Sequence, residues 1–146
     1  MKKSWKEKLD DDNGLPRIEK VKGGLMVIPA PREVDAIMKR VPDGKLITTA
    51  IIRSKLARKH KVDSACALTT GIFAGIAAHV ADEEAATGKK VFTPYWRTLK
   101  ADGTLNAKFP GGVEFLVLML TCEGHHIARM GGRYIVLDYR EKLVRV

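Results

Sequence analysis

Apolar residues fall at helical spacing in two adjacent stretches and form a denser apolar block in a third. From Glu33 to Val41 they are Val34, Ile37, Met38 and Val41, with Glu33 and Asp35 at the start and Lys39 and Arg40 at the end. That spacing predicts a helix, and the charge order suits its dipole. Pro42-Asp43-Gly44 predicts a tight turn. Thr48 is an N-cap for a second helix from Thr49 to about Lys59, with Ile51, Ile52 and Leu56 inward and Arg53, Lys55, Arg58 and Lys59 outward. After a short turn, Asp63 or Ser64 opens a third helix over about Ala67 to Ala86. Leu68, Ile72, Phe73, Ile76 and Val80 give it bulk, while Gly71, Ala74, Gly75 and Ala78 make a second face of small residues. Such a face permits close approach of another backbone. Asp82-Glu83-Glu84 closes the helix against its dipole.

The flanks are less regular. Residues 1–23 form a charged lead, mobile or draped over the domain, with a turn cluster at Asp10-Asp11-Asp12-Asn13-Gly14. Leu25 to Ile28 reads as one strand ended by Pro29 and Pro31. Thr93-Pro94-Tyr95-Trp96-Arg97-Thr98-Leu99-Lys100 reads as a rigid, extended loop, because proline fixes its own φ and extends its predecessor. On an extended backbone Tyr95 and Trp96 point oppositely, so only one is expected to be buried. Pro110-Gly111-Gly112 opens a further helix, Val113 to about Cys122, ended by Gly124. Ile127–Met130 and Arg133–Asp138 flank Gly131-Gly132, a hairpin signal, and a charged tail follows. His125-His126 sits at the start of that hairpin.

Composition adds a partner class. The chain has 146 residues and a net charge of +9, which points to an anionic partner. The charge is uneven: residues 1–61 hold 16 cations and 8 anions, 62–88 no cation and 4 anions, and 89–146 10 cations and 5 anions. No apolar run has membrane-spanning length, and the N-terminus lacks a secretory core. Cys66 and Cys122 are far apart, which fits a reduced, cytoplasmic protein. His60, His79, His125 and His126 show no ligand spacing, so no metal and no cofactor is expected.

The order of pieces is more specific than any one of them. Val41-Pro42-Asp43-Gly44-Lys45-Leu46-Ile47-Thr48, two helices joined by a short turn, Pro94-Tyr95-Trp96-Arg97, Asp102-Gly103, Pro110-Gly111-Gly112 and Glu123-Gly124-His125 follow one another. Over about residues 33–126 this resembles the active-site domain of the methylated-DNA–protein cysteine methyltransferases, and their non-catalytic relatives, the alkyltransferase-like proteins. The family flips an alkylated guanine out of the duplex and moves its alkyl group to the cysteine of a Pro-Cys-His-Arg motif. Here Tyr95 stands at the cysteine and Trp96 at the histidine, while Pro94 and Arg97 match. A thiolate accepts the alkyl group and a base removes its proton. A phenol with pKa near ~10 is mostly protonated at neutral pH, and an indole is only a donor. The resemblance therefore implies no alkyl transfer by that mechanism.

The resemblance also places the family's phosphate-disturbing tyrosine at Thr49, its arginine finger near Thr70, a small glycine of its recognition helix near Phe73, and its histidine-orienting glutamate at Glu123. The resulting expectation is an α/β, mostly helical chain: an extension over 1–32 and a winged helix-turn-helix domain over 33–146. The expected function is non-catalytic binding of double-stranded DNA by a monomer, sensing alkylated DNA for repair. Pro94, Tyr95, Trp96, Arg97 and Glu123 would line a pocket at the former active site, with Arg97 behind the loop. Thr49, Arg53, Lys55, Arg58, Lys59, Thr70 and Lys100 would contact DNA, with Arg97 a further candidate at phosphates. Two alternatives stand beside it. One is a repurposed scaffold whose Tyr95/Trp96 pocket takes a small molecule or a protein. The other is an enzyme in which Tyr95 or Cys66 does new chemistry.

Overall fold

The computed structural model describes residues 2–146. In chain order it contains α1 (Trp5–Asp10), β1 (Arg17–Val21), β2 (Gly24–Ile28), α2 (Pro31–Lys39), β3 (Ile47–Thr48), α3 (Thr49–His60), β4 (Ser64–Ala65) and α4 (Ala67–Ala86). A single 3₁₀ turn at Tyr95–Arg97 leads to β5 (Thr98–Leu99), then α5 (Gly112–Cys122), β6 (Ile127–Met130), β7 (Arg133–Val136) and α6 (Tyr139–Lys142). The helices α1, α2 and α3 and the 3₁₀ turn all pack on α4.

The strands are short and form three separate sheets. β1 and β2 are an antiparallel hairpin, and β2 also pairs in parallel with β4. β3 pairs in parallel with β5, through Ile47–Thr98 and Thr48–Leu99. β6 and β7 form the hairpin expected at Gly131-Gly132. The α3–α4 pair is the expected helix-turn-helix, and Thr48 caps α3 by accepting the Ile51 amide at 3.2 Å. The residues before α4 differ from the expectation. Ser64 is in a strand and Cys66 is the N-cap, because Asp63 and Ser64 are held by β2 instead.

The lead and the tail are both ordered parts of the fold. Ser4 and Glu7 form a reciprocal capping box that starts α1, at 2.9 and 3.1 Å. Leu9 is buried, and the Trp5 ring stacks on His79 with centroids 4.1 Å apart. Residues 2–32 run without a break into α2, which begins at Pro31. At the other end, Leu46 and residues 142–144 exchange backbone hydrogen bonds of 3.0 and 2.9 Å. Tyr139 is buried over Gly103, where a Cβ would collide with its ring, and the φ there is +85°. A glycine is thus needed on both counts.

α4 is turned differently from its apolar pattern. Its buried face is mostly small: Thr70, Ala74, Ala77, Ala78 and Ala81, with Ile76 and Val80 at its margin. Leu68 and Ile72 are 72% and 51% exposed. The small stripe is therefore split. Ala74 and Ala78 pack inward, while Gly71 and Gly75 look outward over space in which an added Cβ would meet nothing within 4 Å. No described helix is long and apolar enough to cross a membrane.

Candidate nucleic-acid interface

The loop expected to form a pocket is part of the core. Residues 95–97 make a 3₁₀ turn, in which successive side chains are about 120° apart rather than opposed. Both aromatics are therefore buried, Tyr95 to 2% and Trp96 to 7% exposure, where an extended backbone would have allowed one. The Tyr95 ring lies 5.6 Å from Trp96 and 6.1 Å from both Phe109 and Phe115, centroid to centroid. Its hydroxyl donates to the Pro110 carbonyl at 3.4 Å. Burial, with Asp82 adding to it, pushes the phenol up to about 12. Pro94 is buried as well.

Glu123 gathers the polar groups of this region. Trp96 Nε1 donates to Oε2 at 2.8 Å, and Arg97 donates from Nε to Oε1 at 2.9 Å and from Nη2 to Oε2 at 2.7 Å. The Gly44 amide reaches Oε1 at 3.5 Å, and Arg97 Nη1 donates to the Val41 carbonyl at 2.7 Å. The Arg97 and Glu123 side chains are only 14% and 9% exposed. Burial alone would raise the Glu123 carboxyl, but the hydrogen bonds from Arg97 and Trp96 outweigh it and hold the group below the usual carboxylate range. Arg97 thus sits in the cluster, not behind the loop, with its guanidinium bonded to Glu123 and the Val41 carbonyl. The cluster ties the 42–44 turn, the 3₁₀ turn and the end of α5 together.

The open space lies next to this core. A cavity of about 640 Å³ is lined by Leu68, Gly71, Ile72, Gly75 and His79 of α4, by Trp5 and Lys8 of α1, and by Asn106, Lys108 and Phe109 of the loop before α5. Trp5 stands at its edge between His79 and the Lys8 ammonium, which is 4.4 Å from the ring centroid. Sequence reasoning missed this wall because α4 is apolar all round, so periodicity could not tell its inner face from its outer one. A usable signal was present: two bulky residues, Leu68 and Ile72, share a side with two glycines.

The expected DNA contacts do not form one surface. Thr70 is fully buried, and its hydroxyl donates to the Cys66 carbonyl at 2.6 Å, so it cannot touch DNA. On α3 Lys55, Arg58 and Lys59 share a face, Arg53 lies off it, and most of the four are engaged within the protein. Arg53 donates to the Ala65 carbonyl at 3.0 Å, and Lys59 and His60 both bond Glu33 at 2.6 Å. Arg58 reaches the Val146 carbonyl at 2.9 Å, and Lys55 lies half-buried beside Ile37, Ile47 and Val144. Thr49 is half-buried on the first turn of α3, and Lys100 is exposed. Cys66 and Cys122 are free thiols, and neither lies on the 3₁₀ turn. Burial raises the Cys66 thiol, but the Thr69 hydroxyl, the Thr69 and Leu68 amides and Arg53 outweigh it and leave it below its ordinary range. Among the described residues no three His, Cys, Asp or Glu side chains are grouped to hold a metal.

No family model and no curated protein matches the chain. Two solved structures share its fold. One is S. pombe Atl1 in complex with damaged DNA containing O6-carboxymethylguanine, at a TM-score of 0.56 and 17% identity, covering 80% of this chain and 94% of that one. The other is S. pombe ATL in complex with DNA, at a TM-score of 0.57 with the same identity and coverage. The chain has the fold of these alkyltransferase-like structures.

Proposed function

We propose that the protein is a non-catalytic, alkyltransferase-like DNA-binding protein that senses alkylated bases in the cytoplasm. The observation that carries this reading is the face of α4. It is the second helix of the helix-turn-helix pair, in a fold shared with a DNA-bound protein, and it presents Leu68 and Ile72 to solvent. Minor-groove proteins use such apolar side chains as wedges that unstack base steps. The cavity beside them is roomy enough for a displaced base, with the Phe109 ring as one wall. Residues 33–146 supply this unit, with 2–32 packed against it, and Arg58, Lys55, Lys100 and Thr49 remain candidate backbone contacts.

Chemistry supports a binding role without turnover. The acceptor position holds Tyr95, whose phenol is buried and pushed up to about 12, so it carries no useful phenolate at neutral pH. The base position holds Trp96, whose one polar atom donates to Glu123. Neither group can accept an alkyl group by the thiolate route.

A second reading is favoured by one specific observation. α4 has no Lys or Arg, so the cavity also suits an apolar small molecule or protein segment on a repurposed scaffold. Titration of plain and O6-alkylguanine duplexes at two salt concentrations separates the two. The DNA reading expects salt-dependent binding that is tighter for the alkylated duplex. Absence of binding at low salt overturns it.

A further inference from the structure

We propose that the β1–β2 hairpin is the phosphate-gripping element of the interface, supplying through Lys20 and Lys22 the cations that α4 lacks. This rests on the DNA-binding reading and names the element that performs it. The starting point is a deficit. A recognition helix normally holds the backbone as well as the bases, yet residues 62–88 contain no Lys or Arg. Of the cations on α3, Arg53 and Lys59 are engaged within the protein. The cations that grip the duplex must stand beside α4 without belonging to it.

The hairpin is fixed in that place. β2 pairs with β4 through Met26–Ser64 and Val27–Ala65, and β4 leads into α4 after one residue. The Asp63 carboxylate accepts the Leu25 amide at 2.9 Å, the Asp63 amide donates to the Leu25 carbonyl at 3.0 Å, and the Cys66 amide donates to the Val27 carbonyl at 2.9 Å. At Gly24 a Cβ would collide with Asp63 Oδ2, so only glycine permits this close seat. The tip of the hairpin is thereby clamped to the turn of the helix-turn-helix, beside the N-terminal end of α4. That end carries exposed Leu68 and Ile72, the side chains read as wedges.

Register decides what the tip presents. Lys20 pairs with Leu25, and Ile18 with Val27, so these four share one face of the hairpin. Val27 is fully buried, whereas Lys20 and Leu25, two residues nearer the tip, overhang the core and are exposed. Lys22 occupies the two-residue turn itself, also exposed. Lys61, exposed at the left-handed C-cap of α3 with φ 55°, adds a third cation in the same turn region. In contrast, Arg17 at the far end of β1 is paired with Glu19 at 2.9 Å and contributes little. Two exposed ammonium groups beside exposed Val21 and Leu25 suit a phosphate backbone with sugar edges between its charges. The positive end of the α4 dipole lies alongside.

The test is duplex binding by fluorescence anisotropy over a range of salt, with three proteins. Lys20→Gln/Lys22→Gln removes the tip cations from an exposed turn. Lys89→Gln/Lys90→Gln removes the same charge past the other end of α4, about 30 Å away along a 20-residue helix. The wild-type protein is the reference. The hairpin variant is expected to lose affinity on the order of tenfold for every duplex and to flatten the log–log salt slope by roughly 2, about 0.9 for each phosphate that is no longer neutralised. The distal variant is expected to keep both. Wild type that binds while the hairpin variant matches it overturns the inference alone. Equal losses in both variants overturn it too, since binding then follows net charge. Wild type that fails to bind duplex overturns the DNA reading on which the inference stands. A pull-down partner competed by polyanion but not by duplex would assign the tip to an acidic protein surface and overturn it likewise.

Discussion

Two regions of this molecule have exchanged the environments that their residues suggest. The 3₁₀ turn at 95–97 carries a tyrosine, a tryptophan and an arginine, the makings of a binding loop, and all three are locked inside. α4 is mostly apolar from Ala67 to Ala81 and carries no cation, the makings of a core helix, and half of it faces solvent. The difference teaches that residue type fixes what a side chain can do, while backbone geometry decides where it does it. A 3₁₀ turn between α4 and α5 gathers its side chains into one core. A helix whose inner face is built mostly of small residues for close packing leaves Leu68 and Ile72 on the outside.

The sharpest way to break the comparison is to place the cysteine and histidine of the repair family's motif at positions 95 and 96. Tyr95→Cys/Trp96→His removes two interlocked rings from a packed aromatic cluster. A loss on the order of 5 kcal/mol is expected in urea unfolding, since large-to-small aromatic changes in cores cost about 3–5 kcal/mol each and neighbours are not additive. A variant as stable as the wild type would show that the turn is a pocket after all.

Glu123→Gln is the next test. It leaves Arg97 buried without its counter-charge, and breaking such a pair costs about 3–5 kcal/mol, reduced here because Arg97 keeps the Val41 carbonyl. The pH dependence has a definite sign. The folded carboxyl is held below its ordinary value of 4.5, so the ion pair stabilises the fold above that value and the contribution is lost as pH falls through the lower, folded one. The gap between wild type and Glu123→Gln in unfolding free energy should therefore narrow below about pH 4. A gap that is flat from pH 7 to pH 3 would remove Glu123 from the cluster's energetics.

The opposite region should respond oppositely. Leu68→Ser and Ile72→Ser act on exposed side chains, so stability is expected to change by within about 0.5 kcal/mol. Duplex affinity is expected to fall about tenfold for the pair, roughly 1.4 kcal/mol, if these residues are the wedges. Unfolding curves and binding isotherms on the same samples check both halves. A stability loss above about 2 kcal/mol would return this face of α4 to the core.

Much of this arrangement was legible in the sequence, and the failures have physical causes. α2, α3, α5 and the β6–β7 hairpin follow from periodicity and caps, because each has one clear inner face or a glycine that fixes its end. α4 is found at its residues but turned wrongly, since alanine and leucine score alike as apolar while only packing tells them apart. The charged lead contained a readable Ser4–Glu7 capping box, yet charge density alone makes it look like a solvated segment. The cation cluster on α3 is dense in sequence, and Lys55, Arg58 and Lys59 share a face at i, i+3 and i+4, but Arg53 lies off that face and Arg53, Arg58 and Lys59 each find a different partner within the protein. The Trp96–Arg97–Glu123 cluster could be placed near one spot only through the resemblance to the repair family. Nothing local in the sequence links Arg97 to a glutamate 26 positions further on.

The smallest effect is expected at Tyr95, and it bears on whether the core turn keeps any chemistry. The phenol lies in an apolar setting with one long hydrogen bond of 3.4 Å to Pro110. Removing a hydroxyl that makes so poor a bond loses little, because the net worth of a good one is only about 1 kcal/mol. Tyr95→Phe should therefore unfold within about 0.5 kcal/mol of the wild type, with the ring packing intact. Alkaline absorbance titration gives the complementary reading: subtracting the variant from the wild type should leave a tyrosinate transition near 12 and nothing near neutral pH. DNA affinity should be unchanged, since the side chain has no path to the α4 face except through its neighbours. A variant that keeps its fold but loses binding would place the hydroxyl in contact with a ligand. The buried turn would then be a working site, and the contrast between the two regions would fail.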